Sequence, residues 1–237
     1  MSPEQLPGED RAEELARALR ELEQRLSAAC AAAGRGRESV LLVAVTKTRP
    51  ASDVRLLQSL GVTDVGENRD QEARAKAGEV SGVRWHFVGG LQTNKARSVA
   101  TYADVVHSVD RPELVAALSA GAVRADRRLD VLLQVSLDGD PARGGCSPAE
   151  VPALAEATAT AAGLELAGVM AVAPLGSDPA AAFEQLAQVH EQLLAQHPTA
   201  VARSAGMSGD LEQAVACGAT HVRVGTALLG ARAPVSR

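Results

Sequence analysis

Lys47 has the residue type and the position to bond covalently with a carbonyl compound. It follows an apolar run, 40–46, that is rich in valine and leucine, and Pro50 comes shortly after it. Such a run is typical of a strand that is buried on both faces. A lysine at the end of that strand directs its amine into whatever cavity lies there, and a desolvated amine is a nucleophile toward carbonyls. A solvated surface lysine is the alternative that Lys47 alone leaves open.

Two segments of small residues near the other end of the chain are suited to binding phosphate. Gly225 and Thr226 follow an apolar run at 220–224, and Ser208 lies in a loop between Gly206 and Asp210. Small residues leave backbone N–H groups available to an anion. An ordinary loop with a helix cap is the alternative for each segment. One amine and one phosphate loop favour a phosphorylated aldehyde as the ligand, and pyridoxal phosphate (PLP) is the obvious candidate.

Four further side chains lie within or after predicted strands. Arg223 interrupts a valine-rich run, so it either faces outward and pairs with an acid on a helix or faces inward and pairs with a ligand. His86 stands between two aromatic residues, which favours packing over a role as a catalytic base. Asn68 follows the second apolar run, and Met170 ends the sixth.

Apolar runs and helical patterns alternate along the chain. The predicted strands are 40–46, 63–66, 84–88, 104–109, 129–135, 165–171, 200–205 and 220–224. The predicted helices are 9–34, 52–60, 69–79, 93–101, 111–124, 148–162, 179–196 and 208–217. This alternation predicts an α/β protein with a parallel sheet. Eight strands in 237 residues favour a closed (β/α)8 barrel of the TIM type with an extra N-terminal helix. We expect one domain over 1–237, with residues 1–10 flexible.

The barrel hypothesis places the candidate residues together. Active sites of such barrels lie at the carboxyl ends of the strands, and the loops after the last two strands often bind phosphate. We therefore expect all of the candidates at that rim, and we expect neither a metal site nor a catalytic residue. The predicted cofactor-binding residues are Lys47, Asn68, His86, Met170, Ser208, Arg223, Gly225 and Thr226.

Composition excludes several classes of protein. The net charge is −5 with acidic and basic residues intermixed, which argues against nucleic acid as the main partner. No apolar run approaches the roughly 20 residues of a membrane span, and the polar N-terminus does not resemble a signal peptide. Cys30, Cys146 and Cys217 are odd in number and widely spaced. They predict neither a disulfide framework nor a metal site, so we expect a reduced, cytoplasmic protein.

Five blocks of sequence together resemble a known family. They lie at 44–48, 66–68, 85–95, 204–208 and 222–230, and they include Gly66-Glu67-Asn68 and Ser204-Ala205-Gly206-Met207-Ser208. In this order they resemble the YggS/PROSC-type pyridoxal phosphate homeostasis proteins, from about residue 15 to the C-terminus. The resemblance implies a single barrel of fold type III, like the N-terminal domain of alanine racemase.

The resemblance also implies a role for each matching residue. Lys47 would hold PLP as a Schiff base, Arg223 would face the pyridine nitrogen, and Asn68 would line the cofactor. Ser208, Gly225 and Thr226 would form the phosphate cradle. Two positions depart from the family pattern, with Arg69 where the family usually has tyrosine and Arg143 where it has lysine. Any role that requires a lysine amine at the second position is therefore in doubt.

A carrier is favoured over an enzyme. Racemisation requires a second base, which alanine racemase takes from a C-terminal domain of its partner subunit. The sequence ends at Arg237 and its one tyrosine, Tyr102, is predicted far from the rim, so we expect no second base. We expect a monomer that stores, buffers or delivers PLP to apo-enzymes. The alternatives are a weak amino-acid racemase or other PLP-dependent enzyme, and a phosphate-binding barrel enzyme without a cofactor.

Overall fold

The computed structural model describes residues 7–230. The expectation of a flexible segment at 1–10 therefore lies mostly outside the described residues, and the first helix begins at Pro7. Among the residues that are described, no helix is both long and apolar enough to cross a bilayer.

Eight parallel strands close into a barrel, as the sequence predicted. Each strand pairs with the next along the chain, and the last pairs with the first. The strands are β1 (Leu41–Val45), β2 (Asp64–Glu67), β3 (Arg84–Phe87), β4 (Val105–Val109), β5 (Leu129–Gln134), β6 (Leu164–Met170), β7 (Ala202–Ser204) and β8 (His221–Val224). Six strands fall within their predicted runs. The other two extend one residue beyond them, β2 at its end, to Glu67, and β6 at its start, to Leu164.

Helices follow the strands and surround the barrel. They are α1 (Pro7–Ala32), α2 (Ala51–Ser59), α3 (Asp70–Glu79), α4 (Thr93–Val99), α5 (Pro112–Ala125), α6 (Val151–Ala159), α7 (Pro179–Gln196), α8 (Leu211–Ala216) and α9 (Thr226–Leu229). The loop predicted at Gly225–Thr226 differs from expectation, because a short helix begins at Thr226. This helix keeps the chain compact directly after β8, beside the rim.

The two faces of each strand carry different side chains. On β1, Leu42 and Ala44 pack in the large core between the strands and the helices. Val43 and Val45 face the other way, since a Cβ added to Gly66 would meet their side chains at 3.1 and 3.4 Å. Alternation along a strand therefore directs odd-numbered positions of β1 toward the barrel interior. A larger residue at position 66 would therefore crowd the two valine side chains inside the barrel.

The extra N-terminal helix, α1, packs against the last two helices of the barrel. Leu15, Leu22 and Leu26 of α1 are buried, and the helix contacts α8 and α9. Arg25 of α1 forms an ion pair with Glu212 of α8 at 2.8 Å. These contacts fix the two helices that flank β8, and so they support the loops that follow β7 and β8.

Candidate functional site

Lys47 lies in the turn directly after β1, at the carboxyl rim of the barrel, and it is partly buried. Pairing with β2 continues through Thr46, whose N–H donates to the Gly66 carbonyl at 2.9 Å. The turn then closes with a bond from the Arg49 N–H to the Thr46 carbonyl at 3.0 Å. Thr48 takes a left-handed conformation, with φ of 65°. Lys47 thus lies between Thr46, which is hydrogen-bonded to β2, and Thr48, which has a left-handed backbone conformation.

The other two lysines of the chain are placed differently. Lys76 on α3 is 5% exposed, and its amine donates to three oxygens. Lys95 lies on α4 and is exposed on the outer layer of helices. Lys47 is therefore the lysine that the fold places at the end of a barrel strand.

Arg223 faces inward, which resolves the two alternatives for this residue. It is 5% exposed, and it donates to Ser204 Oγ at 2.7 Å and to the Ala171 carbonyl at 2.9 Å. Both acceptors lie at the carboxyl ends of β6 and β7, so the guanidinium lies at the mouth of the barrel. Both are uncharged oxygens. Burial lowers the pKa of Arg223 to about 10, because desolvation disfavours its charged form.

The predicted phosphate-binding residues converge after β7 and β8. Ser208 Oγ accepts a hydrogen bond from the Ala227 N–H at 3.2 Å, so the two loops touch. Thr226 is exposed at the start of α9. Gly225 passes β1 closely, since a Cβ there would lie 3.2 Å from the Val45 carbonyl oxygen. This contact brings the loop after β8 next to the strand that carries Lys47.

Asn68 follows β2 at the same rim. Its Oδ1 is buried and has no hydrogen-bond partner among the described residues. The loop after β3 closes over it, because a Cβ on Gly89 would lie 2.4 Å from the Asn68 carbonyl oxygen. Buried polar atoms ordinarily have partners, so an orphaned amide oxygen at a barrel mouth calls for a donor from outside the chain.

His86 does not lie at the rim, contrary to expectation. It is 1% exposed within β3, and its Nε2 bonds to Oδ1 of Asp64, the first residue of β2, at 2.9 Å. Its Nδ1 bonds to His107 Nε2 at 2.8 Å, and His107 Nδ1 bonds to Ser204 Oγ at 3.0 Å. His86 therefore belongs to a chain of side chains that crosses the interior and ends at Arg223.

Met170 ends β6 as predicted, but its side chain is directed into the barrel. It is 2% exposed and packs in a small interior cluster with Val105, Leu132 and Ala202. This cluster is separate from the larger core that lies between the strands and the helices. Met170 thus contributes to the apolar filling of the barrel beneath the mouth.

The structure also shows where Arg143 and Tyr102 lie relative to the rim. Arg143 donates to the Val172 and Ala173 carbonyls at 3.1 and 2.8 Å, so it ties the loop after β5 to the loop after β6. Tyr102 precedes β4 and thus lies at the amino-terminal end of that strand, away from the rim. Burial raises the pKa of its hydroxyl. Tyr102 therefore lies away from the mouth, whereas the guanidinium of Arg143 is engaged by backbone carbonyls at the rim.

Sequence reasoning missed His107 and the group formed by Glu67, Glu72 and Lys76. His107 is fully buried, and burial lowers its pKa well below the usual range. A histidine inside a valine-rich strand was a signal that could have found it. Lys76 carries no local signal, because a lysine on a polar helix is ordinarily solvated.

Among the described residues, no group of histidine, cysteine and acidic side chains is arranged to hold a metal.

Comparison with known proteins gives a consistent result. The family profile "Alanine racemase, N-terminal domain" matches residues 17–233. The pyridoxal phosphate homeostasis protein of Mycobacterium bovis is 46% identical, over 94% of this chain and 95% of its own. The protein of the same name from Escherichia coli K12 is 36% identical, over 92% of this chain and 97% of its own.

Solved structures agree with the sequence comparison. The structure of PipY from Synechococcus elongatus with PLP bound has a TM-score of 0.78 and 36% identity, and it covers 91% of this chain and 100% of that one. Alanine racemase from Corynebacterium glutamicum has a TM-score of 0.70 at 15% identity, over 95% of this chain and 64% of that one. The second likeness shows a shared fold alone.

Proposed function

We propose, from the premise that this chain belongs to the pyridoxal phosphate homeostasis proteins of the alanine racemase N-terminal domain family, that it binds PLP and takes part in PLP homeostasis. One observation carries the proposal most strongly. A buried guanidinium on β8 and a lysine after the adjacent strand β1 share one rim, and the acceptors of the guanidinium among the described residues are neutral. An inward cation in that position fits an electron-rich ligand atom.

The residues at the rim fit PLP by their chemistry. Asn68 Oδ1 is a buried acceptor that lacks a partner among the described residues, and a hydroxyl group on a ligand supplies a donor. Ser208, Gly225 and Thr226 offer hydroxyl and backbone donors to a phosphate group, and their two loops touch at Ala227. These groups lie on the rim that also carries Lys47.

We assign roles on that basis. PLP supplies an electrophilic aldehyde and a pyridine ring that delocalises charge. Lys47 would hold the cofactor by its aldehyde, through a Schiff base to the lysine amine. Arg223 would face the pyridine nitrogen, and Asn68 would line the ring. His86 and Met170 support the site from beneath the mouth, through the stability of the barrel interior rather than through contact with the ligand.

The cradle residues have their own role in the proposal. Ser208, Gly225 and Thr226 hold the phosphate after β7 and β8, where many barrels of this type bind phosphate. Because these loops contact α1, the groups that would hold the phosphate are positioned independently of Lys47. Phosphate and amine then hold the cofactor at two separated points.

The arrangement favours a carrier over a racemase. Arg223 carries a lasting positive charge, which disfavours a second positive charge on a neighbouring pyridine nitrogen. The ring is then a poor acceptor of charge from a bound amino acid. Inversion also requires a proton donor on the face opposite Lys47, and the sole tyrosine, Tyr102, lies at the other end of the barrel.

The position of Tyr102 away from the mouth also bears on the wider role of the protein. We propose storage, buffering or delivery of PLP, with PLP-dependent apo-enzymes as recipients and the protein itself a monomer. Cys30, Cys146 and Cys217 are unpaired, which fits a reducing compartment such as the cytoplasm.

Addition of PLP to the purified apo-protein tests the proposal. Wild type should develop a visible absorption band that shifts on borohydride treatment. Lys47→Ala should lose the band while its thermal unfolding is unchanged, and the matched variant Lys95→Ala should keep the band. A wild-type protein that binds no PLP, or a Lys47→Ala variant with an undiminished band, would overturn the assignment.

Solvent deuterium incorporation separates carrier from enzyme. Alanine incubated with excess PLP-loaded protein in deuterium oxide should show no inversion at a useful rate by NMR. Rapid exchange with inversion at the alpha carbon, lost in Lys47→Ala, would replace the carrier with the racemase.

A further inference from the structure

A buried charged cluster lies on the helix side of the barrel wall, next to Lys47. Lys76 Nζ on α3 donates to the Thr46 carbonyl at 2.8 Å and to Oε1 of Glu67 and of Glu72, each at 2.7 Å. These three acceptors match the three donors of an ammonium group. Thr46 Oγ1 also donates to Glu67 Oε1, at 2.6 Å. Lys76 is therefore saturated, and its amine is not available to a ligand.

The same cluster reaches the residue after Lys47. The Thr48 N–H donates to Glu72 Oε1 at 2.5 Å. Thr48 has a φ of 65°, which β-branched residues rarely adopt. Such a conformation persists when surrounding contacts determine it. Lys76 thus binds the carbonyl before Lys47 directly, and it holds the amide after Lys47 through Glu72.

Stability alone does not explain this cluster. Glu67 is 1% exposed, and its Oε2 is buried without a partner among the described residues. Burial raises the pKa of Glu67, because desolvation disfavours its charged form. Apolar side chains of similar size commonly stabilise a protein as well as a buried ion cluster does. What the cluster adds is a fixed geometry for the backbone on both sides of Lys47.

We propose that Lys76, Glu67 and Glu72 form a clamp that positions the Lys47 amine for attack on an aldehyde. The proposal rests on the proposed role of Lys47 and adds three positioning residues, none of which contacts the ligand. The clamp holds Thr46 toward the helices and Thr48 in the left-handed region. Lys47 between them is thereby directed to the mouth of the barrel before any aldehyde arrives.

The first experiment removes one link and keeps the buried pair. Glu72→Ala deletes the acceptor of the Thr48 N–H, while Lys76 still contacts Glu67. In the full-length apo-protein, we expect amide hydrogen exchange at Thr48 to accelerate at least tenfold. We expect the affinity for PLP to fall about fivefold. Lys95→Met, on the exposed face of α4, is the control and should change neither quantity.

The second experiment separates positioning from general support of the fold. Lys76→Met should weaken PLP binding at least tenfold and slow formation of the visible band. Thr48→Gly in the Lys76→Met background should restore at least half of the lost affinity, because glycine adopts a positive φ without strain. A residue that only stabilised the fold would not be rescued by that change.

The outcomes distinguish this proposal from the role of Lys47. Wild-type protein without a visible band would refute the role of Lys47, and the clamp proposal with it. A normal wild-type band with wild-type affinity in both Glu72→Ala and Lys76→Met would overturn the clamp alone. Faster amide exchange at Thr48 without any loss of affinity for PLP would also overturn it. The clamp would then constrain the backbone without influencing the Lys47 amine. If Lys76→Met fails to fold, Glu72→Ala alone decides between these results.

Discussion

The barrel interior and the barrel mouth both bury polar groups, but they satisfy them differently. In the interior, Asp64, His86, His107 and Ser204 form a continuous chain of hydrogen bonds of 2.8 to 3.0 Å. With both histidines neutral, every donor of the chain meets an acceptor. The serine hydroxyl donates to His107, His107 donates to His86, and His86 donates to the carboxylate. The interior is therefore complete without a ligand.

The mouth is not complete in the same sense. Arg223 has neutral acceptors, and Asn68 Oδ1 has no partner among the described residues. Polar groups that bond to one another stabilise a fold, whereas an unpartnered acceptor at the mouth of the barrel is open to a donor from a ligand. The comparison predicts that changes in the interior alter stability and that changes at the mouth alter binding.

The largest expected effect is a loss of stability at acidic pH that arises in the interior. His221, whose ring lies beside those of His86 and His107, has a pKa lowered to about 4. Burial is the main cause, Arg84 and Arg223 contribute to the lowering, and the Asp64 carboxylate opposes it. The unfolded chain binds a proton near pH 6.5 and the folded chain near pH 4. Stability is therefore complete above pH 6.5 and falls as the pH drops toward 4, by about 3 kcal/mol.

Urea titrations from pH 7 to pH 4 measure this loss, and His107 should add to it because its pKa is lowered as well. The variant His221→Gln should flatten the profile. A free energy of unfolding that stays constant over this range would contradict the interpretation of the interior as a network of neutral histidines.

Interrupting the interior chain is expected to have the next largest effect. His107→Leu leaves Ser204 Oγ and His86 Nδ1 without one partner each, which costs about 2 kcal/mol of stability. Because the mouth keeps its own residues, PLP affinity should stay within about twofold. Chemical unfolding measures the free energy of unfolding, and a PLP titration of the same sample measures the affinity. A large loss of affinity with unchanged stability would reverse the comparison.

Removing hydroxyl donors at the mouth should act on binding. The double variant Ser208→Ala with Thr226→Val deletes two side-chain hydrogen bonds to the phosphate, and we expect the affinity for PLP to fall about tenfold or more. Stability should change by less than about 0.5 kcal/mol, as is usual for partly exposed sites. Pyridoxal, which lacks the phosphate, is the control ligand and should bind both proteins equally. Unchanged PLP affinity would count against this cradle.

Only a small effect on stability is expected from Arg223→Leu. Loss of two hydrogen bonds is offset by removal of a desolvated charge, so the free energy of unfolding should change by about 1 kcal/mol or less. The visible band of bound PLP should change its pH dependence, since the group beside the pyridine nitrogen has been removed. An unaltered spectrum would mean that Arg223 does not face the ring.

The barrel could be predicted from sequence because each strand is a local apolar run. Even β7, the shortest strand, lies within its predicted run of 200–205. Lys47 could be placed at the mouth because parallel strands bring their carboxyl ends together. Sequence left the orientation of Arg223 open, and only its side-chain contacts show that it faces inward. The interior chain and the Lys76 cluster could not be predicted, because they depend on which way each side chain points and on partners that are distant in sequence. His86 illustrates this difference. Its strand was predicted correctly, but its hydrogen-bond partners Asp64 and His107 were not.

Mapping of the modified lysine is the most direct test of the role of the mouth. The PLP-loaded protein is reduced with borohydride, digested, and analysed by mass spectrometry for the three lysines of the chain. We predict that the cofactor mass is attached to the peptide that contains Lys47. Attachment to Lys76 or Lys95 instead would contradict the assignment of Lys47 as the residue that holds PLP.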